Sequence, residues 1–206
     1  MLRLTDVVKQ LLIINAILFV VSILPLYQYM PDLAMYYPAS PQFRPYQIIT
    51  HMFMHGSLSH FFFNMFMLVT FGPMLESFMG SKRFLFYYLF CGLGAIFLHV
   101  VFWYLEISQL SPGQYAMYLQ HPGSVVGASG ALFGILVAFG MYFPDTQLML
   151  LIPPIPMKAK YMVILCIALE FFMLARGAET QIAHYAHLGG ALFGFLIILY
   201  WRKIGK

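Results

Sequence analysis

The sequence is poor in charged residues: Asp, Glu, Lys and Arg make up 9% of its 206 residues, whereas a soluble domain usually has about 25%. Hydrophobic residues make up 62%, and the mean hydropathy is +0.81. So small a charged fraction excludes a soluble globular domain and a disordered chain, and it indicates an integral membrane protein with several spans. The net charge of +4 is therefore not a sign of nucleic-acid binding.

Cysteine is also scarce. The two cysteines, Cys91 and Cys166, each lie inside an apolar run. No spacing among them suggests a disulfide framework or a metal site, so a small secreted disulfide scaffold is excluded. Both thiols are expected to pack among apolar side chains.

Six apolar segments predict transmembrane helices, because a helix needs about 20 apolar residues to cross the hydrocarbon core. They cover residues 11–26, 57–79, 84–105, 127–143, 159–175 and 182–201. The first could be mistaken for a signal peptide, but no small-residue cleavage site follows it, so we interpret it as a retained span. The connections hold few polar residues, which predicts one all-α membrane domain over residues 1–206.

Positive charges fall mainly on one side of this arrangement. With six spans, nine of the eleven Lys and Arg residues share a side, and only Arg44 and Arg176 lie on the other. The nine are Arg3, Lys9, Lys82, Arg83, Lys158, Lys160, Arg202, Lys203 and Lys206. Because positive charge is enriched in cytoplasmic loops, both termini are predicted to be cytoplasmic. We expect a location in a cell membrane, inner or plasma.

Polar side chains lie inside three predicted spans, where they are costly and therefore indicate function. Ser129 and His187 are each about 14 residues from the inner end of their span, which is about 21 Å at 1.5 Å per residue. Asn64 in the second span lies at nearly the same level, and His60 lies one turn above it. We expect these four side chains at similar depth, near the outer face.

Small residues follow both the serine and the histidine at helical spacing. Glycines four residues apart let two helix backbones pack closely in lipid. They predict a tight contact between the fourth and sixth spans that brings Ser129 and His187 within reach of each other. The packing set is Gly127, Gly130, Gly134, Gly190 and Gly194.

A serine hydroxyl becomes a nucleophile when a base accepts its proton, and His187 is the predicted base and later acid. The backbone N–H of Ser129 opens a predicted helix, where the helix dipole favours a developing oxyanion. His60 and Asn64 would supply further donors. No Asp or Glu is expected to orient His187, so the sequence predicts a Ser–His dyad. No metal and no cofactor are expected.

These residues resemble the motifs of the rhomboid family of intramembrane serine proteases over about residues 44–205. The family's His–Asn pair in the second span appears as His60 and Asn64. Its Gly-x-Ser-Gly motif matches residues 127–130, and its Ala-His-x-x-Gly-x-x-x-Gly pattern matches residues 186–194. Glu76 resembles the glycine-flanked glutamate that the family has at the end of its second span.

The resemblance implies a core of six helices that cleaves transmembrane segments of other proteins within the lipid bilayer. It implies Ser129 as nucleophile and His187 as base. It also implies an oxyanion site made by Ser129, His60 and Asn64, and small residues at the cleavage point of the substrate.

Two other functions stay open. A non-proteolytic relative would bind client proteins, but such relatives lack the serine or the histidine, and both are present here. A metal transporter would use imidazole nitrogens as zinc ligands and would not need Ser129. Its candidate ligands are His51, His55, His60, His184 and His187.

Four further polar residues are interpreted by position. His51 and His55 precede the second span and are expected to hydrate a cavity or tether loops. Glu76 is expected to cap or tether a helix end. Glu170 lies about 9 Å below the outer end of the fifth span. There it could be neutral, reach a polar cavity or influence substrate entry.

Overall fold

The computed structural model describes residues 4–25, 27, 32–149, 154–176 and 181–205, with the backbone alone for residues 181–183. These residues are mostly helical. The helices are α1 (Asp6–Ser22), α2 (Gln47–Thr50), α3 (Leu58–Met79), α4 (Ser81–Ile107), α5 (Pro112–Gln120), α6 (Ser129–Tyr142), α7 (Ala159–Ala175) and α8 (Gln181–Lys203). A 3-10 turn, His51–Phe53, continues α2.

Within the described ranges, two short antiparallel strand pairs connect the helices. β1 (Met35–Tyr36) pairs with β2 (Ser124–Val125), and β3 (Gln147–Met149) pairs with β4 (Pro156–Lys158). The first pair joins the loop before α2 to the residues just before α6, and so ties the two long connections together. The second pair forms the hairpin between α6 and α7.

Each of the six predicted segments contains a helix. Among the described residues, three helices are long and apolar enough to span a membrane: Leu58–Met79, Ser81–Ile107 and His184–Lys203. Ser129–Tyr142 is a shorter apolar helix. Large apolar side chains such as Phe62 on α3 and Phe171 on α7 are exposed. An extensive exposed apolar surface of this kind marks a face that contacts lipid.

Helix α6 lies in the middle of the bundle, packed against α3, α4, α7 and α8. Ten of its 14 residues are buried. It is apolar on all sides, as expected of a helix that other helices surround. Ser129 at its first position is therefore held by the packing of the whole bundle.

The end of the molecule opposite Ser129 is fixed by the carboxylate of Glu76 on α3. This carboxylate accepts hydrogen bonds from the backbone N–H groups of Val7 (3.0 Å) and Val8 (2.9 Å) in the first turn of α1. It also accepts from the hydroxyls of Thr5 and of Ser81 (2.6 Å) at the start of α4. A negative charge stabilises a helix N-terminus. The prediction that Glu76 caps or tethers a helix end is confirmed.

Some predicted boundaries are shifted. Helix α1 begins before residue 11 because Glu76 caps its N-terminus, and it ends before Pro25, which lacks the N–H that a continuing helix needs. Helices α4 and α8 extend beyond 84–105 and 182–201. The charged residues at the ends of α4 and α8 are helical, although their low hydropathy left them out of the predicted spans.

The connection 106–126 contains a helix that the sequence analysis missed. A Pro–Gly pair such as Pro112 and Gly113 usually interrupts helical structure, but Pro112 is here the first residue of α5. Proline suits this position because the first helical N–H needs no intrahelical partner. Ser111 and Gln114 form a capping box across the same turn.

Candidate active site

Ser129 and His187 meet between α6 and α8. Ser129 is the first residue of α6, and its Oγ lies 2.8 Å from Nε2 of His187. On the other side of the ring, Nδ1 of His187 lies 2.9 Å from Oε1 of Glu170 on α7. A carboxylate only accepts hydrogen bonds, so Nδ1–H donates to Glu170 and Nε2 is left to accept from the hydroxyl of Ser129.

The imidazole of His187 is also held from its face. The ring of Phe133, one turn after Ser129 on α6, stacks on it with 4.4 Å between ring centroids and 8° between planes. Hydrogen bonds at both nitrogens fix the ring within its plane, and the stack fixes the plane itself.

Glycine contacts bring the two helix backbones together. A Cβ atom added to Gly190 on α8 would lie 1.8 Å from the carbonyl oxygen of Gly130 on α6. One added to Gly194 would lie 2.9 Å from the Cα of Gly134. Side chains at these positions would push the helices apart, and the distance from Ser129 to His187 would grow with the separation.

Gly127 serves another purpose than the other glycines. Glycine spacing predicted a helix-packing role for Gly127, whereas the structure places it before α6 with φ +135°, a region that side chains disfavour. A Cβ there would lie 2.9 Å from Nε2 of His60. Its N–H donates to the carbonyl of His51 (2.9 Å). Gly127 thus lets the His60 ring approach the turn that leads into Ser129.

A cavity of about 710 Å³ opens beside this pair. Its lining includes His60, Asn64, Ser129 and His187, so the four predicted side chains share one cavity. Asn64 is 3% exposed, and its Nδ2 has no hydrogen-bond partner among the described residues. A buried donor without a partner is costly, and in the wall of a cavity it can bind an oxygen that carries negative charge.

His51 and His55 lie outside the long helices and are both buried. His51 also lines the cavity, and its Nδ1 lies 2.8 Å from the carbonyl oxygen of Gln47. Burial lowers the pKa of His51. Burial, and then the neighbouring ring of His60, lowers the pKa of His55 to about 4. Both imidazoles are therefore neutral at pH 7.

The prediction that no carboxylate lies beside His187 is wrong. Glu170 places its second oxygen, Oε2, 2.5 Å from Nδ1 of His184, one turn before His187 on α8. Glu170, His184 and His187 are only 13%, 12% and 18% exposed at their side chains. The sequence did hold a signal, because Glu170 was predicted about 9 Å below the outer end of its span and His187 was also predicted near the outer face.

The same three side chains could hold a metal ion. One ligand atom from each of Glu170, His184 and His187 lies within 4.8 Å of the others. Two imidazoles and a carboxylate form a ligand set that zinc sites use. The hydrogen bonds within the trio already account for this closeness, so the geometry fits either a network or a metal.

Comparison with known proteins agrees with this architecture. The family model described as "Rhomboid domain" matches residues 42–204. Presenilin-associated rhomboid-like protein A, mitochondrial, from Danio rerio is 31% identical over 83% of this chain and 43% of its own length. Rhomboid protein 1, mitochondrial, from Saccharomyces cerevisiae is 30% identical over 76% of this chain and 42% of its own.

A bacterial relative shows the same degree of similarity. Rhomboid protease AarA from Providencia stuartii is 30% identical over 71% of this chain and 52% of its own length. The chain thus spans about half, or less, of the length of these curated relatives. Since the family model covers most of the chain, including Ser129, His187 and the cavity between them, the protein belongs to the rhomboid family.

Proposed function

We propose that this chain is an intramembrane serine endopeptidase that cleaves transmembrane segments of membrane proteins near the outer face. The observation that carries the proposal is the 2.8 Å contact between Ser129 Oγ and His187 Nε2 at the wall of a cavity that His60 and Asn64 also line. Membership of the rhomboid family supports it, as does the relative that is named a protease.

The first step is attack by the serine. As Ser129 Oγ forms a bond to the scissile carbonyl carbon, its proton moves to Nε2 of His187. The carbonyl oxygen becomes an oxyanion. The face stacking by Phe133 keeps Nε2 directed at the hydroxyl throughout, so little reorganisation is needed as the proton moves.

The oxyanion would be held by donors that are in place before the reaction. The N–H of Ser129 is in the first turn of α6, where backbone donors have no intrahelical partner and the helix dipole is favourable. Nδ2 of Asn64, which has no partner in the described part of the chain, would supply a second donor, and His60 would supply a third. Removing one such donor typically costs about 10²- to 10³-fold in kcat.

The intermediate then collapses. His187 gives its proton to the leaving nitrogen, the peptide C–N bond breaks, and the acyl group stays on Ser129 as an ester. Water enters from the cavity, gives a proton to His187 and attacks the ester carbon. The bond between Ser129 Oγ and that carbon then breaks, His187 returns the proton to Oγ, and the second product leaves.

The proposed topology accounts for the substrate class. Six spans with both termini in the cytoplasm of a cell-membrane protein would place Ser129 and the cavity near the outer face. A regular substrate helix hides its carbonyls in hydrogen bonds, so it has to unwind locally to be cut. Small residues at the cleavage point, which the family resemblance implies, would fit beside Phe133 in the cavity wall.

The test compares purified wild type, Ser129→Ala and Ser108→Ala in lipid with a single-span test substrate. Ser108 is an exposed serine at the end of α4 and is the matched control. We expect cleavage by wild type and Ser108→Ala only, and labelling of the same two proteins by a fluorophosphonate. Cleavage by all three proteins would contradict the proposal.

The remaining outcomes separate the other functions. A folded wild type that neither cleaves nor labels would favour a client-binding relative. Activity that a chelator removes and a fluorophosphonate leaves intact would favour a metal centre at Glu170, His184 and His187. The proposed peptidase is expected to keep its activity in the presence of chelator.

A further inference from the structure

The geometry points to Glu170 as a positioning residue for His187, so that Ser129, His187 and Glu170 act as a triad in which α7 supplies the third member. This inference rests on the proposed peptidase function and deepens it. The three groups lie in line: Ser129 Oγ to His187 Nε2 is 2.8 Å, and His187 Nδ1 to Glu170 Oε1 is 2.9 Å.

Glu170 controls which nitrogen of His187 is free to accept a proton. With its carboxylate ionised, Oε1 can only accept, so Nδ1 carries the hydrogen and Nε2 keeps its lone pair toward Ser129. The other tautomer would place a hydrogen on Nε2 and could not accept the serine proton. The hydrogen bond therefore selects the reactive form of the ring.

Glu170 is itself fixed in place by His184. Nδ1 of His184 contacts Oε2, so both carboxylate oxygens are bonded to imidazoles on one face of α8. The two histidines are three residues apart, which places their rings one above the other on the helix. The carboxylate cannot turn away from His187 without losing one of these bonds.

Charge gives a second reason. When His187 accepts the proton it becomes an imidazolium in a mostly buried site, where an isolated charge is expensive. A carboxylate 2.9 Å away neutralises it, and the low local dielectric strengthens that attraction. The proton itself moves from Ser129 to His187 and on to the leaving nitrogen, and none is transferred to Glu170.

The position of Glu170 also argues for function. Acidic residues inside apolar helices are costly and mark functional sites. Within the described part of α7, Glu170 is the one acidic residue, and its neighbours on that helix are apolar. Its two hydrogen bonds go to the groups beside the proposed nucleophile rather than to a helix end.

The experiment measures kcat and KM for wild type, Glu170→Gln and Glu106→Gln in the same lipid. Glu106 is a carboxylate at the outer end of α4 and is the matched control. We expect Glu170→Gln to lower kcat about 100-fold with KM changed less than about twofold, because the amide no longer enforces the tautomer. Glu106→Gln should keep both constants.

A spectroscopic measurement on the wild type does not depend on any variant folding. In protein labelled with ¹⁵N-histidine, the proton on Nδ1 of His187 should appear as a strongly deshielded resonance. Glu106→Gln should retain it, and Glu170→Gln should lose it. A merely structural tether between α7 and α8 would change melting temperature or KM and would not split kcat from KM.

Three results would overturn the inference while leaving the peptidase proposal intact. They are a kcat for Glu170→Gln within about threefold of wild type, an equal loss in Glu106→Gln, and a wild-type spectrum without the deshielded proton. A wild type that neither cleaves nor labels would instead contradict the peptidase function itself, so the two failures are distinct.

Discussion

Two glutamates with little solvent exposure mark the two ends of this helical bundle: the side chain of Glu170 is 13% exposed, and Glu76 is buried. Glu76 at the end where α1 and α4 begin accepts hydrogen bonds from two backbone N–H groups and two hydroxyls. Glu170 at the other end is bonded to two imidazoles beside a cavity. Both carboxylates are satisfied, yet their partners differ in kind.

The difference lies in what the partners can do. Backbone amides and hydroxyls do not titrate near neutral pH, so the network of Glu76 can only hold α1, α3 and α4 together. Imidazoles gain and lose protons in that range, so the network of Glu170 can take part in chemistry. A buried carboxylate in a membrane helix is thus interpreted through its donors rather than by its burial alone.

The largest expected effect comes from separating α6 and α8 at the end of the bundle that holds Ser129 and His187. Gly190→Ala would bring its Cβ to 1.8 Å from the Gly130 carbonyl oxygen. We expect the free energy of unfolding to fall by about 3 kcal/mol, which is at the upper end of the usual cost of adding atoms to a well-packed core. We also expect cleavage to be lost. Unfolding in mixed micelles and a cleavage assay measure both.

The control is Gly113→Ala in α5, where an added Cβ has nothing within 4 Å. It should keep both stability and cleavage. If Gly190→Ala proved as stable and active as Gly113→Ala, the prediction that α6 and α8 pack too closely for a Cβ atom at residue 190 would be wrong.

The second-largest effect is expected from Glu76→Gln, which weakens the end of the bundle where α1 and α4 begin and leaves Ser129 and His187 unchanged. In Glu76→Gln the new amide group would face donors whichever way it turns, since both carboxylate oxygens accept two hydrogen bonds. We expect a loss of about 2 kcal/mol in stability. The folded fraction should still be labelled by a fluorophosphonate at the wild-type rate.

Asp145→Asn is the matched carboxylate control. Asp145 is exposed, lies just before β3 and forms ion pairs with Lys158 at the end of β4 and Lys160 at the start of α7 (3.0 Å each). Exposed pairs contribute little, so its melting temperature should match that of wild type. Slower labelling of folded Glu76→Gln would show that the two ends are coupled.

The smallest expected effect is a loss of stability at acidic pH that arises from His55, at the end of the bundle that holds the cavity. The pKa of His55 is about 4 in the folded protein and about 6.5 when unfolded. Between these values the unfolded state binds more protons, so stability falls as pH falls. We expect a loss of about 1 kcal/mol at pH 5.5, measured by melting at pH 7.5 and 5.5.

His55→Phe should remove that part of the pH dependence, because a phenyl ring cannot be protonated and suits the edge-on contact with Phe61. An unchanged pH dependence in this variant would assign the sensitivity to other groups, such as His51.

Much of the bundle follows from hydropathy, but the rotation of each helix does not. Six apolar segments were predicted and each contains a helix, because burial of a hydrogen-bonded backbone in lipid depends mainly on apolar length. Glycine spacing and matched depth correctly predicted that Ser129 and His187 approach each other. Helix α7 is apolar on nearly all sides, so its sequence does not say which face meets α8.

That ambiguity is why the contact between Glu170 and His187 was missed although their depths agree. Helix α5 was missed for another reason, since a Pro–Gly pair usually interrupts structure and the capping-box spacing of Ser111 and Gln114 is the competing signal. In the first case the missing information was a contact with a distant part of the chain, and in the second case one local pattern outweighed another.

The contact between Gly130 and Gly190 also limits how this sequence can change. A clash between two side chains can be relieved by making the second one smaller. Here the opposing atom is a backbone carbonyl, and no substitution removes it. A side chain introduced at residue 190 therefore cannot be compensated by a second substitution at residue 130. The two positions cannot change together as a pair of contacting side chains can.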